Sequence, residues 1–350
     1  MTAPTVTDTR SLVVNGAFRP QRVTGQQRYA IEIADRLVRD HGFGEHAPQG
    51  GWLGSAVKEW AWTMLRLPSL ASGSVVVSLT ARSPFARRQV LVVHDLFVLT
   101  NPEWFSRKYV LTHAPTLRAQ LRTASAVVAV SEPTAEAVRG RFAGKVVVAP
   151  NAPSDVFRSS PSAADAAATG ALESRGLRED GYLLTVGSKD PRKNLPRLAH
   201  AYGLLPEETR SRFPLVVVGG GAAIYQGESI AWPKGTVDAG YVTDDDLRAL
   251  YAGARAVVFP SMAEGFGLPL VEAAAAGAGS LVVSDLDVFR WICEDGAVYV
   301  DPSSAESIAA GLTAAIEGRA PAISIDLDRF DWNASARAVA EICTEVARNR

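Results

Sequence analysis

The chain has 350 residues, a formal net charge of -1 and only two cysteines. The near-neutral balance, with no long basic block, argues against nucleic acid as the main partner, and Cys293 and Cys343 lie far apart without metal-type spacing, which excludes a disulfide framework and suggests a reducing compartment. No stretch approaches the ~18 uninterrupted apolar residues of a membrane span, and the polar opening MTAPTVTDTR lacks the apolar centre of a signal peptide, so the expectation is a soluble, cytoplasmic protein at most peripheral to a membrane.

At a prior of roughly 150 residues per domain, the length points to two domains. Short apolar, β-branched runs recur along the whole chain: SLVVNG, SVVVSL, VLVVHD, AVVAVS and KVVVAP, then YLLTVGS, PLVVVGG, AVVFPS and SLVVSD. Runs apolar on successive residues, each closed by Gly, Ser, Asn, Asp or His, read as parallel strands buried on both faces. With helical patterns between them they make an α/β protein with two open sheets.

After the first run, RPQRVTGQQRYAIEIADRL starts a helix near Gly25, with Thr24 and Gln27 spaced as a capping box. Such a helix N-terminus beside a glycine suits phosphate, and an ordinary capped helix fits equally well. Next, GWLGSAVKEWAWTMLRLPSL carries three tryptophans among aliphatic residues. It is either a helix covering the first sheet or, where exposed, a face for a membrane-linked acceptor. VLVVHDLFVLTNPEWF then ends a buried strand at His94 and Asp95, where a histidine can touch substrate or serve as a hydrogen-bonded structural group.

Between the fifth and sixth runs, residues 156–176 include SSPSAADAAATGALESRG, poor in large apolar side chains. This is the expected linker between an N-terminal domain, 1–155, and a C-terminal one, 177–330. After the sixth run, Gly187 and Ser188 lead into a loop with Lys189, Arg192 and Lys193 before a helix, an arrangement suited to a diphosphate or equally to a solvated basic loop. Gly219, Gly220 and Gly221 follow the seventh run, where backbone can approach a ligand closely. Asp244, Asp245 and Asp246 read as an acidic helix start and not as metal ligands.

The segment AEGFGLPLVEAAAA brackets a strand-to-helix loop with Glu264 and Glu272. Gly265 and Gly267 favour turn geometry, Pro269 suits a first helical position, and Glu272 falls in about the first helical turn of a helix that stops near Gly277 or Gly279. Residues 331–350 place Trp332, Val339, Ile342 and Val346 on one apolar stripe, and this helix is expected to pack back on the N-terminal domain. In open α/β sheets ligands sit beyond the carboxyl ends of the strands, so the site is expected there.

The ordered set VTGQQRYAIEIADRL, VVHDLFVLTNPEWFS, AVVAVSEPTAEAV, VAPN, TVGSKDPRKNLPRLAHAY, AGYVTDDDLRALYAGARAVVFPSMAEGFGLPLVEAAAAG and GAVYVDP resembles successive blocks of family 4 glycosyltransferases, over nearly the whole chain from about residue 11. The resemblance implies a GT-B fold, with two Rossmann-like domains whose parallel sheets face across a deep cleft, and a retaining, metal-independent hexosyltransferase without a cofactor other than its nucleotide-sugar donor. It implies that Glu264 lies near the transferred sugar and that Glu272 holds the ribose hydroxyls. By the same resemblance Lys193 is expected to contact the diphosphate, with backbone N–H groups around Gly265, Phe266, Gly267 and Leu268 assisting it, His94 is expected near the scissile bond, and Gly25 between acceptor and phosphate. The family arginine is Ser188 here, so Lys189 or Arg192 is expected to compensate.

The RKNL block and the segment RRQVLVVHDLFVLTNPEWFS look most like the branch containing mannosyltransferases of bacterial surface polysaccharides. GDP-mannose is therefore the first-choice donor and a glycan or polyprenyl-linked acceptor the expected partner; rhamnose or glucose donors, and a nucleotide-sugar epimerase of the same architecture, stay open. A nicotinamide dehydrogenase is disfavoured, because NGAFRPQRVTGQQRYA after the first strand lacks G-x-G-x-x-G.

Overall fold

The computed structural model describes residues 12–53, 55–85, 88–158, 172–173, 175–187, 190–219 and 230–349. They form two units, Met1–Asn151 with Phe330–Arg350, and Ala152–Arg329. Each is built on a six-stranded sheet in which every recorded strand pair is parallel.

In the first unit the strand order is β2-β1-β3-β4-β5-β6, with β1 at Leu12–Asn15, β2 at Gly44–His46, β3 at Val75–Ser78, β4 at Gln89–Val93, β5 at Ala126–Ala129 and β6 at Lys145–Val148. The second unit runs β12-β11-β10-β7-β8-β9, with β7 at Leu183–Val186, β8 at Leu215–Val218, β9 at Thr236–Gly240, β10 at Ala256–Phe259, β11 at Leu281–Ser284 and β12 at Val298–Val300. The central strands are largely apolar runs, with Gln89 in β4 and Thr185 in β7 among the buried polar exceptions, because helices cover both faces. In the second unit Leu183, Val217, Val258 and Val282 pack with Leu198, Tyr202, Ile308 and Leu312 in one core, each fully buried aliphatic side chain contributing ~1.5–3 kcal/mol.

Six helices matter for the site: α1 at Gly25–His41, α2 at Ala56–Ala61, α3 at Leu195–Gly203, α4 at Asp244–Ala252, α5 at Leu268–Ala276 and α6 at Trp332–Arg348. Helix α6 packs on α1 in the first unit, with Trp332, Val339 and Ile342 buried. A Ser335 Oγ bond to the Pro150 carbonyl at 2.8 Å fixes its start.

The division at Asn151 puts residues 152–155, assigned to the first domain from sequence, in the second unit. The short helix Asp155–Arg158, whose last three residues fall in the expected linker, also belongs there: it packs against α4 and α5, with Phe157 buried edge-on to Tyr251 at 5.9 Å. Residues 159–171 lie outside the described residues.

Candidate active site

The best-defined constellation sits at the carboxyl ends of β7 and β10, neighbours in the second sheet. After β7 the chain makes a 3₁₀ turn over Pro191–Lys193, capped by Asp190, whose Oδ1 accepts the Arg192 N–H at 2.9 Å. Asn194 follows in the left-handed region at φ 59°, a conformation asparagine tolerates better than most residues. Its side-chain amide donates to the carbonyls of Pro260 at 2.9 Å and Pro302 at 2.7 Å. The Met262 N–H donates in turn to the Arg192 carbonyl at 2.7 Å. The two loops are thus stitched together before any ligand arrives.

This stitching sets Lys193. Its Nζ donates to Glu264 Oε1 at 2.6 Å and lies 5.4 Å from the centroid of the Phe259 ring, a cation–π distance. The hydroxyl of buried Ser261 donates to the same carboxylate oxygen at 2.9 Å. Both bonds fall on Oε1. Lysine and glutamate side chains are 19% and 14% exposed, which makes the pair a fixed, weakly screened dipole at a strand end.

Arg192 is turned the other way. Its Nε and Nη2 both donate to Asp190 Oδ2, at 3.0 and 2.6 Å, so this guanidinium fork is engaged by a buried carboxylate and is a poor stand-in for the arginine absent at Ser188. Ser188, Lys189, Gly220 and Gly221 lie outside the described residues.

The loop from Glu264 enters α5 through Gly267, at φ 127°, where a Cβ would lie 2.9 Å from the Phe289 ring. Glycine is therefore required on both conformational and steric grounds. The helix starts at Leu268, one residue earlier than the sequence suggests, so Pro269 is its second residue and Glu272 its fifth. Glu272 is accordingly buried in the second turn and not in the first, because Leu268 already has helical geometry. Phe266 is buried edge-on against Trp291, at 6.2 Å; what the segment 265–268 can offer an anion is backbone. Helix α5 ends at Gly277 in the left-handed conformation.

Gly219 closes β8 next to Gly187 at the end of β7: a Cβ on Gly219 would fall 2.0 Å from the Gly187 carbonyl oxygen. Gly187 in turn lies under the Lys193 side chain, whose Cγ would be 3.4 Å from a Cβ there.

The first unit presents a different edge. His94, after β4, is half-buried, with its ring edge-on to Tyr29 at 5.1 Å and its Nε2 2.9 Å from the Leu79 carbonyl oxygen. Burial lowers its pKa to about 4, against the raising effect of that hydrogen bond. A carbonyl only accepts, so the neutral ring carries its proton on Nε2 and Nδ1 is an acceptor. Gly25 is the exposed first residue of α1, and a Cβ there would meet nothing within 4 Å. The capping box does not form as read: the Thr24 hydroxyl bonds the Gln27 side chain and accepts no backbone N–H. Nearby strand ends carry groups that sequence reading passed over. Asn15 donates to Ser78 Oγ at 3.1 Å and to the Arg82 carbonyl at 2.7 Å, and Arg82 pairs with buried Glu59 of α2.

Among the described residues no group of three or more His, Cys, Asp or Glu side chains could hold a metal ion. Asp244–Asp246 form the first turn of α4, and Thr243 caps them by accepting the Asp246 N–H at 3.2 Å.

Comparison with known proteins bears on this geometry directly. Residues 173–336, which include Lys193, Glu264 and Glu272, match the family model for glycosyl transferases group 1. The C-terminal half of the chain is thus similar to the group 1 glycosyltransferases. Among relatives of this chain, O-antigen chain mannosyltransferase B of Escherichia coli is 33% identical over 244 residues, 66% of this chain and 61% of that protein. Serotype-specific mannosyltransferase WbdA of Escherichia coli is 31% identical over 228 residues, 58% of this chain and 26% of that one. The matched segments thus span less than two thirds of either relative's own length. Sucrose-phosphate synthase from Thermosynechococcus elongatus superposes with a TM-score of 0.65 at 16% identity, over 97% of this chain and 94% of that one. The chain therefore has the GT-B architecture of two Rossmann-like domains.

Proposed function

We propose that this chain is a retaining hexosyltransferase that moves mannose from GDP-mannose onto a glycan or polyprenyl-linked acceptor during surface-polysaccharide assembly, at the cytoplasmic face of the membrane and without a metal or other cofactor. The observation that carries the reading is the Lys193–Glu264 pair at 2.6 Å, held by Ser261 and Asn194 at two adjacent strand ends inside the matched segment. The mannosyltransferase relatives support the choice of sugar.

Leaving-group departure from an anomeric carbon needs negative charge stabilised on the diphosphate and positive character tolerated on the sugar ring. Lys193 and the backbone entering α5 supply the first as fixed electrostatics. Glu264 supplies the second, and Glu272 accepts hydrogen bonds from the two ribose hydroxyls. In the proposed front-face step the bond from C1 to the phosphate oxygen breaks with its electron pair left on the diphosphate. The acceptor oxygen bonds to C1 on the same face, and its proton passes to the departing phosphate oxygen. His94, neutral at working pH, serves as a hydrogen-bonding group and not as an acid, and Gly25 leaves room for phosphate or acceptor beside the α1 N-terminus.

The test is incubation of purified protein with GDP-mannose, UDP-glucose and a dTDP-rhamnose donor, with and without a polyprenyl-linked glycan, following nucleotide release and product anomer. Acceptor-dependent GDP release that survives EDTA and gives an α-linked mannoside is the expected result. Consumption of another donor overturns the mannose assignment, and sugar conversion without acceptor points to an epimerase.

The membrane part of the reading rests on the segment from α2 to Leu70. Trp62 and Leu67 face the core, while Val57 (76% exposed), Trp60 and Leu65 (72%) form an outward apolar stripe beside Lys58 and Arg66. No helix among the described residues is long and apolar enough to cross a membrane. Co-sedimentation with anionic liposomes, lost in Val57→Asp/Leu65→Asp, is expected; failure to sediment removes this part.

A further inference from the structure

We infer that Trp291 and Arg329 are positioning residues for the loop that turns from Glu264 into α5. Arg329 clamps the Trp291 ring, and that ring holds Phe266, so that the backbone N–H groups of 265–268 keep one orientation. The inference rests on the proposed nucleotide-sugar reading, in which this backbone faces the diphosphate, and adds what fixes it.

Of residues 265–267 only Phe266 has a side chain. Its ring is therefore the one side-chain handle by which the rest of the protein can hold the turn, and it is buried. The support beneath is the helix Asp287–Cys293, from which two aromatic residues meet the loop. The fully buried Phe289 ring occupies the place next to Gly267, 2.9 Å from where a Cβ would lie. Trp291 meets the Phe266 ring edge-on, with centroids 6.2 Å apart. Phe289 also stands edge-on to Phe259 at 6.5 Å, and the Lys193 ammonium is 5.4 Å from the Phe259 ring centroid. One helix thus underlies both the cation and the N–H groups proposed for the leaving group.

Phe289 is fixed by burial, whereas Trp291 is half-buried and needs a second hold. Arg329 supplies it three times over. Its guanidinium carbon lies 5.1 Å from the Trp291 ring centroid, its Nη2 donates to the Trp291 carbonyl at 2.9 Å, and its Nη1 donates to Glu294 Oε1 at 2.7 Å. An isolated surface ion pair would leave the ring and carbonyl contacts unexplained. Glu294 ends the helix at φ 48° and ψ -115°, a conformation that a residue with a side chain adopts only under constraint. The Tyr299 hydroxyl donates to its carbonyl at 2.5 Å, so both ends of this residue are tied. Strain held in this way gathers at sites where position matters.

Arg329 closes the 3₁₀ turn Leu327–Arg329 and is the last residue of the second unit. The turn packs on α5, the helix that carries Glu272, and its Leu327 carbonyl accepts from Arg158 Nη2 at 3.2 Å. The clamp is therefore anchored from outside the helix it grips.

The test uses the full chain and two readouts, hydrogen–deuterium exchange at 265–268 and steady-state nucleotide release from GDP-mannose, in wild type, Trp291→Leu, Arg329→Met, Arg329→Lys and Lys193→Ala. In Trp291→Leu and Arg329→Met, exchange at 265–268 is expected to be about tenfold faster and kcat about tenfold lower per folded molecule, with the donor KM within about twofold of wild type. Arg329→Lys, which keeps a cation over the ring, is expected to recover most of both. Should Trp291→Leu not fold, Arg329→Met decides, since that side chain is 29% exposed. Unchanged exchange, or faster exchange with unchanged kcat, overturns this inference, and an inactive Lys193→Ala in the same series leaves the nucleotide site standing. A fall in activity that only follows the folded fraction also overturns it, since the role is then structural. A wild type that turns over no nucleotide sugar overturns both readings.

Discussion

The two carboxyl edges of this chain are built from different materials. In the second unit the edge is charged and braced: Asp190 with Arg192, Lys193 with Glu264, and the Asn194 amide across two carbonyls. In the first unit the functional candidates are neutral, a histidine with a depressed pKa and a glycine with open space around it. A doubly charged leaving group calls for fixed charge, whereas a hydroxyl acceptor calls for shape and a few hydrogen bonds. Under the proposed function, the contrast is the one a division of labour between a donor half and an acceptor half would produce.

The sharpest way to break the comparison is to remove charge from the braced edge. Lys193→Ala is expected to lower kcat by about 10²–10³-fold, the scale of losing one preorganised electrostatic donor, measured by steady-state nucleotide release. A loss under tenfold would mean that another cation carries the diphosphate. Next in size is Gly219→Ala, which sets a Cβ 2.0 Å from a backbone oxygen at φ 135°. A destabilisation of about 3 kcal/mol or more in urea unfolding is expected, because neither partner is a movable side chain.

The neutral edge predicts a pH effect. Folded His94 stays neutral down to about pH 4, while the unfolded histidine takes up a proton near 6.5. Between those values the unfolded chain binds more protons, so this contribution to stability falls as pH falls. Wild type is expected to lose more Tm than His94→Gln between pH 7 and pH 5; equal losses would show that burial does not govern His94. The smallest effect belongs to Gly25→Ala. Its Cβ meets nothing within 4 Å, so stability should change by under about 0.5 kcal/mol, and a fall in transfer rate would then report a ligand's approach.

What could be read from the sequence follows the same physics. Central strands such as VLVV and LVVV were legible because burial on two faces demands unbroken apolar runs. The strands overlooked, β2 (GEH), β9 (TVDAG) and β12 (VYV), are all sheet edges, where one side is unpaired and polar residues are tolerated. Glu264, Glu272 and Lys193 stood out by spacing and resemblance. Their supports did not: Asn194 acts through Pro260 and Pro302, both remote in sequence, and Ser261 acts through Glu264, three residues on in a loop whose turn no periodicity announces. Asp190, by contrast, left a local trace, an acidic residue directly before a proline at a turn start.

The return of α6 to the first unit bears on how the chain is made. Helix α6 follows the whole of the second unit in sequence, yet its apolar stripe packs on α1 and on strands of the first sheet. As the polypeptide leaves the ribosome, the second unit has every residue it needs before the first one does. Until Trp332–Arg348 emerge, Tyr29, which packs on Trp332 as well as on His94, lacks one of its ring partners. The surroundings of His94 are thus completed late in synthesis, and a nascent chain stalled before residue 332 would carry a finished Lys193–Glu264 edge beside an unfinished first unit.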